Sequence, residues 1–244
     1  MRARWHKLGA ACAGALLALA MAASAQQSPD WKRCVNEDNE FSTDVQISRC
    51  TAIIQSGREN RKNRAIAFNN RGLAYYKTDD NDHAIADFNK AVGLDPQYDR
   101  AYSARASAWS DKGDHDRAIS NYNLAIRLNT KNPIALNNRC DELLIVRQPH
   151  ASLADCNESL RLRPGHANTL MHRGNAHLVL GQLDRAIADY DAALGSKPND
   201  AWSLYGRGLT KIRQRDAAAG AVDTAAAKAI DANIAGTFER YGLK

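Results

Sequence analysis

Apolar and polar positions alternate at helical spacing in paired segments along most of this chain. Within each pair, two amphipathic helical patterns flank a short polar turn, such as Leu180-Gly181-Gln182. The pairs align without gaps over 65–98, 99–132 and 167–200, and 133–166 and 201–234 continue them in phase, so the period is 34 residues. Self-similarity at such a period predicts an all-α array of helical hairpins.

Two positions of the 34-residue repeat are small in every copy, and a third is aromatic in three copies. The eighth position holds Gly72, Ala106, Cys140, Gly174 and Gly208, the twentieth holds Ala84, Ala118, Ser152, Ala186 and Gly220, and the twenty-fourth holds Phe88, Tyr122 and Tyr190. We expect the small residues to let the two helices approach closely while the aromatic ring fills the space beside the eighth position. Pro96, Pro164 and Pro198 close three repeats, because proline cannot continue a helix.

This pattern resembles the tetratricopeptide repeat (TPR) family in its common bacterial variant, written roughly NRGxAY…GDxxxAIxDYxxAIxLxP. From residue 65 the chain reads AIAFNNRGLAYYKTDDNDHAIADFNKAVGLDPQY. The resemblance extends from about Asp30 to Lys244. It implies an all-α, right-handed α-solenoid of about six antiparallel hairpins, with a concave groove lined mainly by the first helix of each repeat.

Both ends of the array depart from the repeat. A divergent first hairpin, 30–57, fits the frame if Cys34 takes the eighth position and Cys50 the twenty-fourth. At the other end, 233–244 predicts a short capping helix in which Ile234, Phe238 and Tyr241 form one face. Because a solenoid needs an atypical element over its last exposed face, we expect this helix to cover the end of the array.

The N-terminus has the features of a secretory leader. Arg2, Arg4 and Lys7 precede an uncharged stretch, which ends in Ala23-Ser24-Ala25. This order predicts a signal peptide over 1–25, a mature domain over 26–244 and a periplasmic or secreted location. The alternative is an uncleaved membrane anchor. No later segment approaches about 18 apolar residues, so no membrane span is expected in the mature chain.

Four cysteines follow the leader, and an even number in an exported chain favours disulfides. Cys34 and Cys50, like Cys140 and Cys156, are sixteen residues apart and occupy the eighth and twenty-fourth positions. Other pairings would join hairpins three repeats apart, whose helix axes are too distant for a bridge. We therefore predict Cys34–Cys50 and Cys140–Cys156 bridges. The alternative is four buried free thiols.

Arginine occupies the seventh position of five consecutive repeats, and aspartate or asparagine occupies the twenty-third. The resulting pairs are Arg71–Asp87, Arg105–Asn121, Arg139–Asp155, Arg173–Asp189 and Arg207–Asp223. Because both positions flank the packed contact between the two helices, we expect structural pairs that neutralise each arginine except Arg105, which faces the uncharged Asn121. The alternative is a ladder of arginines that binds anions.

Composition and motifs exclude several functions. The chain is 44% hydrophobic and 25% charged, which is ordinary for a globular protein. Half of its charge of +6 comes from Arg2, Arg4 and Lys7 in the expected leader. The other lysines and arginines are spread through the chain and interleaved with aspartates, so nucleic acid is not an expected partner. There is no GxSxG, HExxH or phosphate-binding glycine motif, and His172 and His177 are too far apart in sequence to share a helix face as a zinc pair. We expect no catalytic residue, no metal and no cofactor.

The resemblance places the second, fifth, ninth and twelfth positions of each first helix in the concave groove. The candidate groove residues are Asn69, Leu73, Tyr76, Asn137, Asp141, Asn175, Trp202 and Tyr205. Asparagine can both donate to and accept from an extended peptide backbone, and aromatic residues are common binding anchors. For Trp202 and Tyr205, packing beneath the cap is the competing interpretation.

Three functions fit these observations. The favoured hypothesis is an exported, non-catalytic scaffold that binds a peptide or protein segment in its concave groove. The second is an assembly or structural factor of the cell envelope that docks through its convex face. The third is an enzyme or carrier whose site the repeat conceals. The sequence does not identify the partner.

Overall fold

The computed structural model describes residues 28–243, so the expected leader over 1–25 lies outside the described residues. All regular secondary structure in the described part is helical, with thirteen helices and no strand. The helices are α1 (Pro29–Val35), α2 (Thr43–Gln55), α3 (Arg61–Lys77), α4 (Asn81–Leu94), α5 (Asp99–Asp111), α6 (His115–Leu128), α7 (Pro133–Ile145), α8 (Pro149–Leu162), α9 (Ala167–Val179), α10 (Leu183–Ser196), α11 (Ala201–Arg213), α12 (Ala217–Ile230) and α13 (Ile234–Arg240). The all-α fold class predicted from the hydrophobic pattern is confirmed.

The chain forms two compact bodies, one up to Ala104 and one from Arg105 onward. In the N-terminal body, α1 packs on α2 and α3 packs on α4, and α3 also contacts α2. In the C-terminal body, the hairpins α7–α8, α9–α10 and α11–α12 stack so that each first helix contacts the second helix of the preceding hairpin. The first helices α7, α9 and α11 are also direct neighbours. None of the described helices combines the length and apolar character that crossing a bilayer requires.

The turn of each of the five repeats has a left-handed backbone conformation at the same repeat position. The fifteenth position of the five repeats has positive φ in every case, at Asp79, Gly113, Arg147, Gly181 and Arg215. The amide of the next residue donates to a carbonyl five residues earlier, as in Asp216 to Lys211 at 3.0 Å. This is the Schellman arrangement that ends a helix, and it favours glycine because other residues are strained there. Glycine occupies the position in only two of the five repeats.

The small residues at the eighth and twentieth positions allow close contact between the two helices of a hairpin. A Cβ added to Gly72 would lie 2.7 Å from Cε1 of Phe88, and one added to Gly174 would lie 2.8 Å from Cε1 of Tyr190. Both rings are fully buried. The aromatic residue therefore occupies the volume that a larger eighth residue would need, as the repeat pattern predicts.

Two cysteine pairs take the place of this small–aromatic contact. Cys34 lies opposite Cys50 between α1 and α2, with Cα atoms 4.8 Å apart. Cys140 lies opposite Cys156 between α7 and α8, with Cα atoms 5.5 Å apart. All four side chains are fully buried, and both pairs are at disulfide distance.

Candidate functional site

The arginines of the seventh position lie against the aspartates of the twenty-third, each through two parallel hydrogen bonds. The paired distances are 2.7 and 2.8 Å for Arg71–Asp87, 2.6 and 2.6 Å for Arg139–Asp155, 2.8 and 2.6 Å for Arg173–Asp189, and 2.7 and 2.7 Å for Arg207–Asp223. Arg105 instead donates to Asn121 Oδ1 at 2.8 Å. Such forked pairs fix the guanidinium plane as well as its charge.

The same arginines also reach the preceding hairpin, which the sequence analysis missed. The third guanidinium nitrogen, Nη1, donates to Thr51, Asn123, Asn157 and Asp191 at 2.7 to 2.9 Å. From Arg139 onward the acceptor is the twenty-fifth position of the previous repeat, so the recurrence of Asn or Asp there was a readable signal. Each of these guanidinium groups is engaged within the protein, which favours the structural role over an anion ladder.

Electrostatics at these pairs follow from their geometry. The hydrogen bonds that Arg71 donates to Asp87 raise the pKa of the Arg71 guanidinium above its usual value, against the opposing effect of burial. For Asp223, burial acts to raise the pKa, but hydrogen bonds from Arg207 and Lys211 outweigh it and the pKa is lowered. Both groups therefore stay charged at neutral pH.

The asparagines expected to bind a peptide backbone are buried. Asn137 accepts a hydrogen bond from Thr169 Oγ1 at 2.7 Å, and Asn175 accepts one from the Tyr190 hydroxyl at 2.6 Å. Asn137 is 7% exposed and Asn175 is fully buried. Asn69 is 3% exposed, although its neighbours Leu73 and Tyr76 on α3 are only half-buried. The structure thus uses the amide oxygens of Asn137 and Asn175 to join neighbouring helices.

Trp202 and Tyr205, the two aromatic candidates, pack beneath the C-terminal helix α13. The Phe238 ring centroid lies 5.1 Å from that of Trp202 and 4.8 Å from that of Tyr205. Tyr241 meets Trp202 edge-on at 5.1 Å. The competing interpretation, that both residues lie under the cap, is therefore the arrangement in the structure.

Asp141 connects this cap to the middle of the C-terminal body. The Tyr241 hydroxyl donates to Asp141 Oδ2 at 3.4 Å, and His172 Nδ1 lies 3.1 Å from Asp141 Oδ1. Arg147 donates to the backbone carbonyl of Tyr241. Burial acts to lower the pKa of His172, but the Asp141 charge and hydrogen bond outweigh it, so the pKa is raised.

An open cleft lies in the N-terminal body, where the sequence analysis had placed no anchor. It has a volume of 730 Å³. Its lining residues are Trp31, Lys32, Val35, Asn36, Glu37, Asp38, Glu40, Phe41, Ile66, Asn70, Tyr98, Asp99 and Arg100. Most of them come from α1 and the loop that joins it to α2. The divergence of the first hairpin from the repeat was the available signal, since a loop conformation cannot be read from helical periodicity.

The cleft combines apolar rings with an excess of acids. Four carboxylates and two cationic side chains are among its lining residues. Lys32 already pairs with Glu40 at 2.9 Å. Trp31 is 2% exposed and its indole nitrogen donates to Glu59 at 3.0 Å, which fixes the ring. Burial raises the pKa of Tyr98, so its hydroxyl remains protonated.

Glu142 is an unusual buried carboxylate in the C-terminal body. It is 3% exposed and accepts hydrogen bonds from the Ser110 hydroxyl and from His115 Nδ1, the latter at 2.9 Å. Burial raises its pKa against both hydrogen bonds. These hydrogen bonds join α5, α6 and α7, so we assign Glu142 a structural role. Within residues 28–243, no group of three or more His, Cys, Asp or Glu residues is arranged so that it could bind a metal ion.

Stacked helical hairpins of constant length define an α-solenoid, a class of repeat proteins that offers extended surfaces for binding. Family models described as tetratricopeptide repeat match residues 65–98, 99–132 and 141–201. The chain belongs to the tetratricopeptide repeat family, as the repeat pattern predicted.

Solved structures share this fold at low sequence identity. The crystal structure of YrrB, a TPR protein with an unusual peptide-binding site, has a TM-score of 0.61 and 20% identity, covering 75% of this chain and 93% of YrrB. PilW, a widely conserved type IV pilus biogenesis factor, has a TM-score of 0.63 and 18% identity, covering 68% and 77%. A TPR protein from Parabacteroides merdae has a TM-score of 0.66 and 15% identity, covering 88% and 91%. No curated protein matches the chain.

Proposed function

We propose that this chain is an exported, non-catalytic scaffold that binds a peptide or protein segment, and that the open cleft of the N-terminal body is its recognition site. The observation that carries the proposal is the cleft itself, 730 Å³ in volume and lined by both apolar and charged side chains. Binding sites of this kind combine apolar contact with a few placed polar groups. Leu73 and Tyr76 extend the same face of α3 beyond Ile66 and Asn70.

The charge of the cleft selects the ligand. The four lining acids, Glu37, Asp38, Glu40 and Asp99, outnumber the two lining cations, Lys32 and Arg100. A segment with a lysine or arginine beside an apolar side chain complements this surface, because opposite charges steer association and exclude acidic competitors. Aromatic and aliphatic lining residues supply the apolar contact.

Two further observations support the scaffold role and the location. The fold neighbours include a protein described by its peptide-binding site and one described by pilus biogenesis. The leader pattern that ends in Ala23-Ser24-Ala25 and the two cysteine pairs at disulfide distance fit an oxidising, extracytoplasmic compartment.

A charge-reversal experiment tests the cleft. The double variant Glu37→Lys/Asp38→Lys changes two exposed loop side chains at the cleft and should weaken binding of short basic–apolar peptides by about tenfold. At each of the two positions an attraction of about 0.2–1 kcal/mol is replaced by a repulsion of similar size. The matched control Asp111→Lys/Asp116→Lys makes the same change in charge on exposed residues of the C-terminal body.

Fluorescence anisotropy with a peptide array supplies the readout, and capture of exported proteins on the same variants extends it to native partners. Equal binding by both double variants would exclude the cleft and favour docking through the convex face. The export part is tested separately by intact mass: the mature chain should begin at Gln26, whereas Met1 retained in a membrane pellet would contradict it.

A further inference from the structure

The C-terminal segment, residues 231–243, does not continue the solenoid. A cap that extended the array would rest on the last hairpin alone. Instead, α13 places Phe238 against Trp202 and Tyr205, which occupy the second and fifth positions of α11. These are the positions that the repeat frame turns toward the inner face, meaning the face built from the second, fifth, ninth and twelfth positions of α7, α9 and α11.

The segment also reaches two hairpins back along this inner face. Tyr241 donates to Asp141 at the ninth position of α7, and Arg147, in the turn that follows α7, donates to the Tyr241 carbonyl. The residues in the first contact are 100 apart in sequence. Arg147 therefore acts as a cationic cap at the C-terminal end of α13, where the helix dipole favours positive charge.

The apolar side of α13 is fully accommodated by this face. Ile234 and Phe238 are completely buried and Leu243 is 2% exposed. They belong to one core cluster with Leu178, at the twelfth position of α9, and Tyr205. The segment 231–243 thus lies in a groove across three first helices, with Ile234 and Phe238 as anchors one helical turn apart on α13 and Leu243 as an anchor after the helix ends. This arrangement corresponds to the helix-in-groove mode of peptide recognition.

We propose that residues 231–243 are a resident ligand of this inner face, and that their release exposes a second binding site for a partner helix with the same apolar anchors and an aromatic residue at the place of Phe238. This site is separate from the open cleft, so the proposal does not depend on the function proposed above. The tail is joined to α12 by only three residues, 231–233, which gives it an effective concentration on the order of millimolar. A partner must therefore compete with it.

A substitution in the tail tests the proposal on the full-length chain. Phe238→Asp places a carboxylate in the apolar contact and should release α13. The matched control Gly236→Asp adds the same carboxylate to the same helix at an exposed position, where an added Cβ meets nothing within 4 Å. The probe is a labelled synthetic peptide of residues 231–243, and its Phe238→Asp version is the negative control.

We expect the probe to bind the Phe238→Asp chain at least about tenfold more tightly than the wild type, because apparent affinity falls with the fraction of open sites. The Gly236→Asp chain should behave as the wild type. Equal affinity for all three chains, or no binding to a Phe238→Asp chain with unchanged circular dichroism, would overturn the proposal.

Hydrogen exchange on the wild-type chain gives an independent measurement that needs no variant. Saturating probe should accelerate exchange of the α13 amides, which lose their contact, and leave α1 to α4 unchanged. No acceleration under saturating probe contradicts displacement. Light scattering identifies the other possible occupant: a wild-type dimer that becomes monomeric with Phe238→Asp would mean that the groove holds a neighbour's tail, and would replace the proposal.

Discussion

The Cys140–Cys156 pair should stabilise the middle of the C-terminal body, and removing it should lower the free energy of unfolding by about 3 kcal/mol. The perturbation is the double variant Cys140→Ala/Cys156→Ala. A bridge between residues sixteen apart closes a loop of about 17 residues. In the chain-entropy model, closing that loop lowers the conformational entropy of the unfolded chain by about 10 cal/mol/K. This loss corresponds to about 3 kcal/mol of stability at 25 °C.

Urea unfolding followed by circular dichroism, with and without reductant, measures this loss. Reductant should lower the unfolding free energy of the wild type by more than that of the double variant, because the double variant retains only the Cys34–Cys50 pair. The variant Cys34→Ala/Cys50→Ala is the matched comparison, because its bridge also spans sixteen residues. Its effect should be local, seen as faster hydrogen exchange in α1 and α2, since no described hairpin precedes that one.

The reasoning would be refuted by a wild type that is insensitive to reductant while all four thiols react with an alkylating agent after denaturation. Non-reducing peptide mapping that joins Cys34 to Cys140 or Cys156 would refute the pairing itself. Equal destabilisation of the wild type and the double variant by reductant would assign the effect to the other pair.

Four further substitutions test the packing and electrostatics of the C-terminal body. Arg173→Lys keeps the charge but loses the forked bond and the bond to the preceding hairpin, so thermal unfolding should report a loss of about 1–2 kcal/mol. Gly220→Ala places a Cβ 2.7 Å from the carbonyl oxygen of Gly208 and should lower the free energy of unfolding by about 1–3 kcal/mol. Arg215→Gly removes a non-glycine residue with positive φ and should raise the free energy of unfolding by about 1 kcal/mol. Urea unfolding measures both changes, and a Gly220→Ala chain as stable as the wild type would contradict the close contact. Because the pKa of His172 is raised, the stability that it contributes is complete below its unfolded pKa and is lost as pH rises through its folded pKa. The advantage of the wild type over His172→Gln should therefore shrink as pH rises above the usual histidine pKa of about 6.5.

The features that could be predicted from the sequence are those fixed by distance within one repeat. The Gly174–Tyr190 contact and the Arg173–Asp189 pair each involve two residues sixteen apart on facing helices, so the 34-residue frame is enough to bring them together. The cysteine pairs follow the same spacing. Periodicity also placed α13 as a helix with Phe238 on its apolar side.

The features that could not be predicted depend on loops and on contacts between distant repeats. Nothing local to Tyr241 indicates that it reaches Asp141, because the contact depends on the path of the chain after α12. The cleft depends on the conformation of the loop after α1, which carries no period. The role of Asn175 could not be predicted either, because its position in the sequence does not show whether its amide binds a ligand or accepts a hydrogen bond from the Tyr190 hydroxyl.

The contact between Tyr241 and Asp141 also has a consequence for the order in which the protein is made. In a solenoid most contacts join neighbouring helices, so hairpins can form one after another as the chain is synthesised. Residues 231–243 are synthesised after every helix that they contact, and the surface on which they pack exists only when α7, α9 and α11 already lie side by side. Docking of α13 is therefore a late, non-local step that requires three successive hairpins in register, and a protected α13 amide marks a chain whose C-terminal body has been assembled to completion.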